Sequence, residues 1–467
     1  MKIKFCGAAR TVTGSSHLIE LNNGFKILLD CGLFQGKQAY VDDWNRNFLF
    51  NPAEINCVVL SHAHIDHIGL LPKLVKDGYS GPIFCTPQTM ELAKILLLDS
   101  ARIQESDVQH INKMRQKQGR AVVQALYTEE DARDVFPLFM TLPYNQPMKL
   151  CQEVELMYTD CGHIIGSAAV NLKIKEEGTT TRLTFSGDVG RYNDLILRPP
   201  EPFPQADSII LESTYGNRLH DVVTPSADRL LEYVEHTCLS KKGKLIIPAF
   251  SVGRTQEILY LLNRLETEHR LPKLNYYVDS PLSILVTQFA KHHPESFNKD
   301  VQALLQQDED VFAFEGLHYL KTAEESMKLN SSKDPCVIIS ASGMAEAGRV
   351  KHHIAHNIGH SRNTILMVGY CEPHSLGGKL RAGDKQVTIY GEQHTVHAEV
   401  GVIETMSAHG DYHDLMQWLS CQDASLVSKL ILVHGSYESQ QEFRDKLMKK
   451  GFKDVEIPAM HQVIGLG

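Results

Sequence analysis

The chain has 467 residues, 43% of them hydrophobic and 22% charged, with a net charge of −9 at pH 7. That length asks for two domains or one domain with a large insertion, and the composition is globular, which excludes disordered, fibrous and low-complexity classes. The acidic balance excludes a polyanion-binding surface spread over the whole molecule.

The N-terminal run MKIKFCGAARTVTGSSH has no apolar stretch of signal-peptide length, and no later segment offers about 18 apolar residues in a row. A cytoplasmic protein with no membrane contact is therefore expected. Ten cysteines are scattered without a C-x-x-C pair, and Cys57, Cys85 and Cys336 lie in apolar runs where a reduced thiol packs well, so free thiols are expected.

In chain order, short strands ending in Gly- or His-rich turns come first: FKILLDCG at 25–32, INCVVLSHAH at 55–64 and PIFCTP at 82–87. Between Met90 and Phe139 the spacing turns helical and charged, as in an inserted helical layer. Strand signals return in VNLKI at 170–174 and TRLTFSGD at 181–188, then comes a Pro-rich connector at 198–204 and the strand SIILEST. From about Tyr215, helices alternate with the apolar runs GKLIIPAF, LNYYVDSP, PCVIISASG and NTILMVGY, the pattern of a parallel, doubly wound α/β sheet. A helix over Tyr412 to Leu419, the strand LILVHG and a helix from near Ser439 close the chain.

The most informative run is HAHIDH, which puts His62, His64, Asp66 and His67 directly after an apolar strand. Imidazole suits zinc and carboxylate adds a hard oxygen, so one loop can supply ligands to two neighbouring metals. Further candidates also close strand-like runs: His163 in CGHIIGSA, Asp188 in TFSGDVGR and His434 in LILVHG. Taken singly, each is an ordinary turn residue or core histidine. Together with HAHIDH they match, in order and neighbouring residue type, the ligand series of the metallo-β-lactamase superfamily, in which Asp30 of LLDCG fits the supporting, non-ligating position.

LESTYGNR at 211–218, PAFSVGRTQEIL at 248–259, DSPLSI at 279–284, ISASGMAEAGRV at 339–350 and SAHGD at 407–411 resemble the β-CASP group of that superfamily. This group of RNA-processing nucleases includes RNase J and the polyadenylation endonuclease subunit. The resemblance implies an α/β fold: a metallo-β-lactamase αββα sandwich over 1–215 and 401–467, with an inserted β-CASP α/β cap over 216–400. It implies two zinc ions, one on His62, His64 and His163 and the other on Asp66, His67 and His434, with Asp188 between them. It further matches Glu212 and His409 to motif residues.

A histidine titrating near neutrality suits protonation of a leaving oxygen, so His409 is expected to be the general acid, with Glu212 orienting it and Asp66 placed to orient water. The plainer alternatives are Glu212 capping a turn or pairing with Arg218, and His409 capping the helix near Tyr412. The turn SASGMAEAG offers backbone N–H groups, so Ser340, Ser342 and Gly343 are phosphate-binding candidates, or else an ordinary strand-to-helix turn. Arg254 and Lys379 complete the expected substrate contacts. His352, His353 and His356, at helical spacing, are read as a solvated helix face, with a third metal or a phosphate contact as the alternative. The run GYCEPHSLGGKL at 369–380 departs from the group's pattern, with Gly378 where an arginine is usual.

The expected function is zinc-dependent hydrolysis of single-stranded RNA to 5′-phosphate and 3′-hydroxyl ends, with self-association left open. DNA hydrolysis, hydrolysis of a small ester or thioester, and a noncatalytic scaffold are the alternatives.

Overall fold

A computed structural model describes residues 1–36, 39–219, 226–369, 371–403 and 407–466. The chain separates into two compact units. Met1–Asn193, Pro199–Leu219 and His409–Gly467 form the first, and Asp194–Arg198 with His220–Ala408 form the second.

Two seven-stranded sheets make the centre of the first unit. One runs in the order Val463–Gly465, Lys2–Phe5, His17–Glu20, Lys26–Leu29, Cys57–Val59, Ile83–Cys85, Phe139–Thr141. Its last four strands are parallel, so Asp30 and the HAHIDH run leave the sheet at one shared edge. The other runs Val455–Glu456, Lys429–Val433, Ser208–Glu212, Thr179–Phe185, Ala168–Glu176, Val154–Asp160, Met148–Lys149. Here Lys429–Val433, Ser208–Glu212 and Thr179–Phe185 are mutually parallel, and Val154–Asp160 points the same way through two antiparallel steps. The carboxyl ends of these four strands therefore share one edge, and each is followed or closed by a candidate ligand or its partner.

Side chains alternate across each strand with period two. Ile210, Ile431 and Val433 point between the sheets and pack with Phe5, Ile27, Val59, Tyr158 and Phe185. Ile209, Leu211, Leu430 and Leu432 point outward against Leu415 and Trp418 of the helix Tyr412–Trp418 and Phe443 and Leu447 of the helix Tyr437–Lys449. On the first sheet's side, the helix Pro87–Lys117 starts at Thr86, whose hydroxyl accepts from the Thr89 N–H at 3.2 Å, and buries Leu92, Ala93, Leu96, Leu97 and Ala101. Each large apolar side chain so buried stabilises by roughly 1.5–3 kcal/mol. The sandwich thus supplies the rigidity on which its polar edge depends.

The second unit is a six-stranded, all-parallel sheet in the order Leu317–Tyr319, Asn275–Val278, Cys336–Ser340, Lys244–Pro248, Thr364–Met367, Glu399–Val402. Lys244–Pro248 and Cys336–Ser340 are buried at every residue, as parallel strands with helices on both faces must be. The compact units divide at 219/220 and 408/409. Residues 194–198 also join the second unit, because the Arg198 N–H donates to the Ser296 carbonyl at 3.1 Å and the Asn298 N–H to the Ile196 carbonyl at 2.7 Å. A strand-like bridge of Leu197 to Phe297 completes that attachment.

All ten cysteines are free, and only Cys421 is exposed. Among the described residues no helix is long and apolar enough to cross a membrane.

Candidate metal centre

Strand Cys57–Val59 delivers Ser61 and His62 to the sheet edge, and the four-residue helix Ile65–Ile68 presents Asp66 and His67 one turn later. That tight return needs Gly32, because a Cβ there would lie 1.6 Å from the Asp66 carbonyl oxygen, which accepts from the Ser15 N–H at 2.7 Å. His163 follows Val154–Asp160, and its N–H donates to Ser167 Oγ at 3.0 Å. Asp188 follows Thr179–Phe185, Glu212 ends its own strand, and His434 follows Lys429–Val433 in a left-handed conformation, φ 50°.

These side chains converge. His62 Nε2 and His163 Nε2 lie 3.1 and 3.2 Å from His64 Nδ1, and each lies 3.5 Å from Asp188 Oδ2. On the other side, Asp188 Oδ2 is 3.4 Å from His67 Nε2, while Asp66 Oδ2 is 3.9 Å from His67 Nε2 and 3.3 Å from His434 Nε2. Three overlapping donor groups result among the described residues: His62, His64, His163 and Asp188; Asp66, His67 and His434; and Asp188, Glu212, His409 and His434. Around a tetrahedral ion with bonds of about 2.0–2.1 Å, ligand atoms sit about 3.3 Å apart, the spacing of the group of His62, His64, His163 and Asp188.

Protonation states fit a cation as well. Burial holds His62 well below its usual range and His64 at about 4, so both rings are neutral and offer lone pairs. Burial opposes a charge on His67 too, yet Asp188, Asp30 and Asp66 raise it well above the ordinary imidazole value. Burial likewise opposes ionisation of Asp66, but His67 and His434 hold its carboxyl at about 2. His67 Nε2 and Asp188 Oδ1 are buried without a hydrogen bond. Three carboxylates around His67 thus make a place for positive charge, and a divalent ion satisfies both the orphaned atoms and that charge.

Asp30 explains how His67 is aimed. Fully buried, its carboxylate accepts from Ser15 Oγ at 3.0 Å and from the Ser61 N–H and Oγ at 2.8 and 2.9 Å. At 2.7 Å from Asp30 Oδ2, His67 Nδ1 is the donor, which leaves Nε2 facing Asp188 and Asp66. Thr214 Oγ1 lies 3.1 Å from His434 Nδ1 and plays the matching part there. Ser15, Ser61, Ser167 and Thr214 escaped the sequence reading because single hydroxyl residues have no characteristic spacing. Only the adjacency of Ser61 to HAHIDH was a signal.

Glu212 does not pair with Arg218. Its carboxylate accepts from the Val189 N–H at 2.8 Å and lies 3.1 Å from His409 Nδ1. Nor does His409 cap the next helix; Asp411 does, accepting from the N–H groups of His413 and Asp414. Burial pulls His409 down, yet Glu212 and then Asp188 carry it up to about 9. Its side chain stays 22% exposed with Nε2 3.9 Å from Asp188 Oδ2, so a partly exposed N–H lies beside the cluster.

The five expected substrate contacts all belong to the second unit. Ser340 is buried and its hydroxyl donates to the Asp279 carbonyl at 2.7 Å, so it holds two strands together. Arg254 is buried in an ion pair with Glu257. Ser342 is half-buried, Gly343 packs on the Phe250 ring, and Lys379 is exposed on the helix Leu376–Arg381. Tyr370, in the divergent run, lies outside the described residues. His353 is a correction: it is fully buried rather than solvated, bonded to Asp279 and Asn330.

Three family models match the chain: a metallo-beta-lactamase superfamily domain over residues 18–181, a Beta-Casp domain over 255–380, and a Zn-dependent metallo-hydrolase RNA specificity domain over 393–458. The chain is 35% identical to ribonuclease TTHA0252 of Thermus thermophilus across 94% of each protein. It is 27% identical to an RNase J-like protein of Methanocaldococcus jannaschii, covering 99% of this chain and 98% of that one. Identity is also 27% to the transcription termination factor FttA of Methanosarcina mazei, over 96% of this chain and 69% of the relative.

Proposed function

Because the chain belongs to the β-CASP group of the metallo-β-lactamase superfamily, we propose that it is a cytoplasmic, zinc-dependent ribonuclease that cuts single-stranded RNA into 5′-phosphate and 3′-hydroxyl ends. The observation that carries this reading is the convergence of His62, His64, Asp66 and His67 from one sheet with His163, Asp188 and His434 from the other, with the Glu212–His409 pair beside them.

His62, His64 and His163 would hold one zinc ion and Asp66, His67 and His434 the other, with Asp188 shared. Such a pair supplies Lewis acidity to the phosphodiester and a lowered pKa to the attacking water. Asp66, kept ionised by His67 and His434, orients that water and accepts from it. Cleavage that leaves a 3′-hydroxyl requires a proton on the departing 3′-oxygen. His409 Nε2 supplies it, and the Glu212 carboxylate at Nδ1 fixes the ring and stabilises its charged form. In the second unit, Ser342, Gly343 and Lys379 remain the proposed contacts to the RNA backbone, with Ser340 and Arg254 bonded inward beside them.

The test is cleavage of 5′- and 3′-labelled RNA by the wild type and by His409→Ala, with zinc counted in both. The variant is expected to keep two zinc ions and to lose about 10²- to 10⁴-fold in rate, the usual share of a general acid. Undiminished cleavage would remove His409 from the mechanism, and hydrolysis of small esters without RNA would move the reading to a small-molecule hydrolase.

A further inference from the structure

Next to the metal cluster the first unit holds an exposed cation–aromatic pair that the chemistry above does not use. Residues 6–16 connect the strands Lys2–Phe5 and His17–Glu20, and three of them are left-handed: Ala8 at φ 46°, Arg10 at φ 60° and Gly14 at φ 73°. Only glycine adopts that conformation without strain. Two strained residues meet here, because the N–H of left-handed His434 donates to the Ala8 carbonyl at 2.8 Å. The loop is thereby tied to a candidate ligand, and two residues further on it presents Arg10.

The Arg10 guanidinium lies 4.4 Å from the centre of the Tyr437 ring, and Tyr437 opens the helix that follows His434. Its Nη2 donates to the Ile457 carbonyl at 3.2 Å, and its remaining N–H groups have no protein partner among the described residues. Both side chains are exposed, Tyr437 by 42%. A second pair of the same kind shows what an internal version looks like. Arg218 sits 4.6 Å over the Tyr215 ring, but that ring is only 7% exposed and stands edge-on to His409. Arg10–Tyr437 is the open pair, a guanidinium with free donors on an uncovered ring, held by a strained loop at the cluster.

A planar cation with free donors suits a phosphate, and an exposed ring beside it suits a base. We propose that Arg10 and Tyr437 position a nucleotide flanking the scissile phosphate, Arg10 donating to its backbone phosphate and Tyr437 stacking its base. This rests on the reading of the protein as a ribonuclease and adds a substrate-positioning pair to it.

Steady-state kinetics on an oligoribonucleotide and on bis(p-nitrophenyl) phosphate, which carries no flanking nucleotide, test the proposal. Arg10→Gly removes the guanidinium while leaving the left-handed backbone relaxed, and Tyr437→Phe keeps the ring that Tyr437→Ala removes. For Arg10→Gly and Tyr437→Ala the KM for RNA is expected to rise about tenfold, mostly at constant kcat, with Tyr437→Phe close to wild type. The slope of log KM against log salt should fall by about 0.7 for Arg10→Gly, the signature of one lost phosphate contact to a single strand. A wild-type RNA KM and salt slope in Arg10→Gly would overturn the proposal, as would equal losses on both substrates, which mark damage to the metal cluster. A wild type that hydrolyses the small diester but no RNA would overturn the ribonuclease reading, and this pair with it.

Discussion

The two units each bury a histidine against a carboxylate, and the pairs differ in what the second ring nitrogen does. In the first, His67 Nδ1 bonds Asp30 at 2.7 Å, and Nε2 is left buried without a hydrogen bond among Asp188 and Asp66. In the second, His353 Nε2 bonds Asp279 at 2.6 Å and Nδ1 meets Asn330 Oδ1 at 2.7 Å, while Asp279 is further bonded by Ser326 and Arg349. One network leaves a ring nitrogen open, whereas in the other both ring nitrogens and both carboxylate oxygens are bonded. Burial, residue type and distance are alike in both, so the open nitrogen is what distinguishes a ligand site from a brace.

Removing the closed histidine should have the largest effect. His353→Ala leaves Asp279 buried with a charge facing a cavity, so it is expected to destabilise the second unit by about 3 kcal/mol. Denaturant unfolding measures this, and the zinc content should be that of the wild type. Loss of zinc without loss of stability would erase the distinction between the two networks. Asp30→Asn attacks the open network: His67 loses its charged partner but keeps its place, and metal affinity should fall about 10- to 100-fold. Competition with a chromophoric chelator reads that change, and an unchanged affinity would mean that Asp30 does not aim the ligand.

The smallest effect expected is on pH dependence. Burial opposes ionisation of Asp279, but its bonds from His353, Ser326 and Arg349 keep its carboxyl below the usual range. A group depressed in the folded state stabilises fully above the unfolded value of about 3.9 and loses that contribution as pH falls through the folded one. The stability gap between the wild type and Asp279→Asn should therefore be constant above about pH 5 and narrow below about pH 4. A gap that widens in acid would reverse the assigned sign.

Much of the first unit was legible in the chain. HAHIDH could be read because candidate ligands for two neighbouring ions crowd a single loop at local spacing, and His163, Asp188 and His434 because each closes an apolar strand run. The doubly wound order of the second unit followed from its alternating helices and strands. His353 was misjudged, and the inward bonds of Ser340 and Arg254 were not foreseen, because a polar residue at helical or turn spacing does not announce which way it faces. His353 and Ser340 turn inward to Asp279, and Arg254 turns to Glu257. The attachment of residues 194–198 to the second unit was equally hidden, since it rests on backbone bonds to residues 296 and 298 about a hundred positions away.

By itself the amino-acid order determined which chemistry the protein carries, since metal ligands must be of a few residue types and periodicity follows from helix and strand geometry. Only the tertiary structure decided which nitrogens and oxygens are left open. The partners that close or aim them come from far along the chain: Asp30 lies 37 residues from His67, Asp279 lies 74 from His353, and His434 reaches Asp66 across 368. Contacts at such separations are set by how the sheets stack and pair, and no local pattern encodes them.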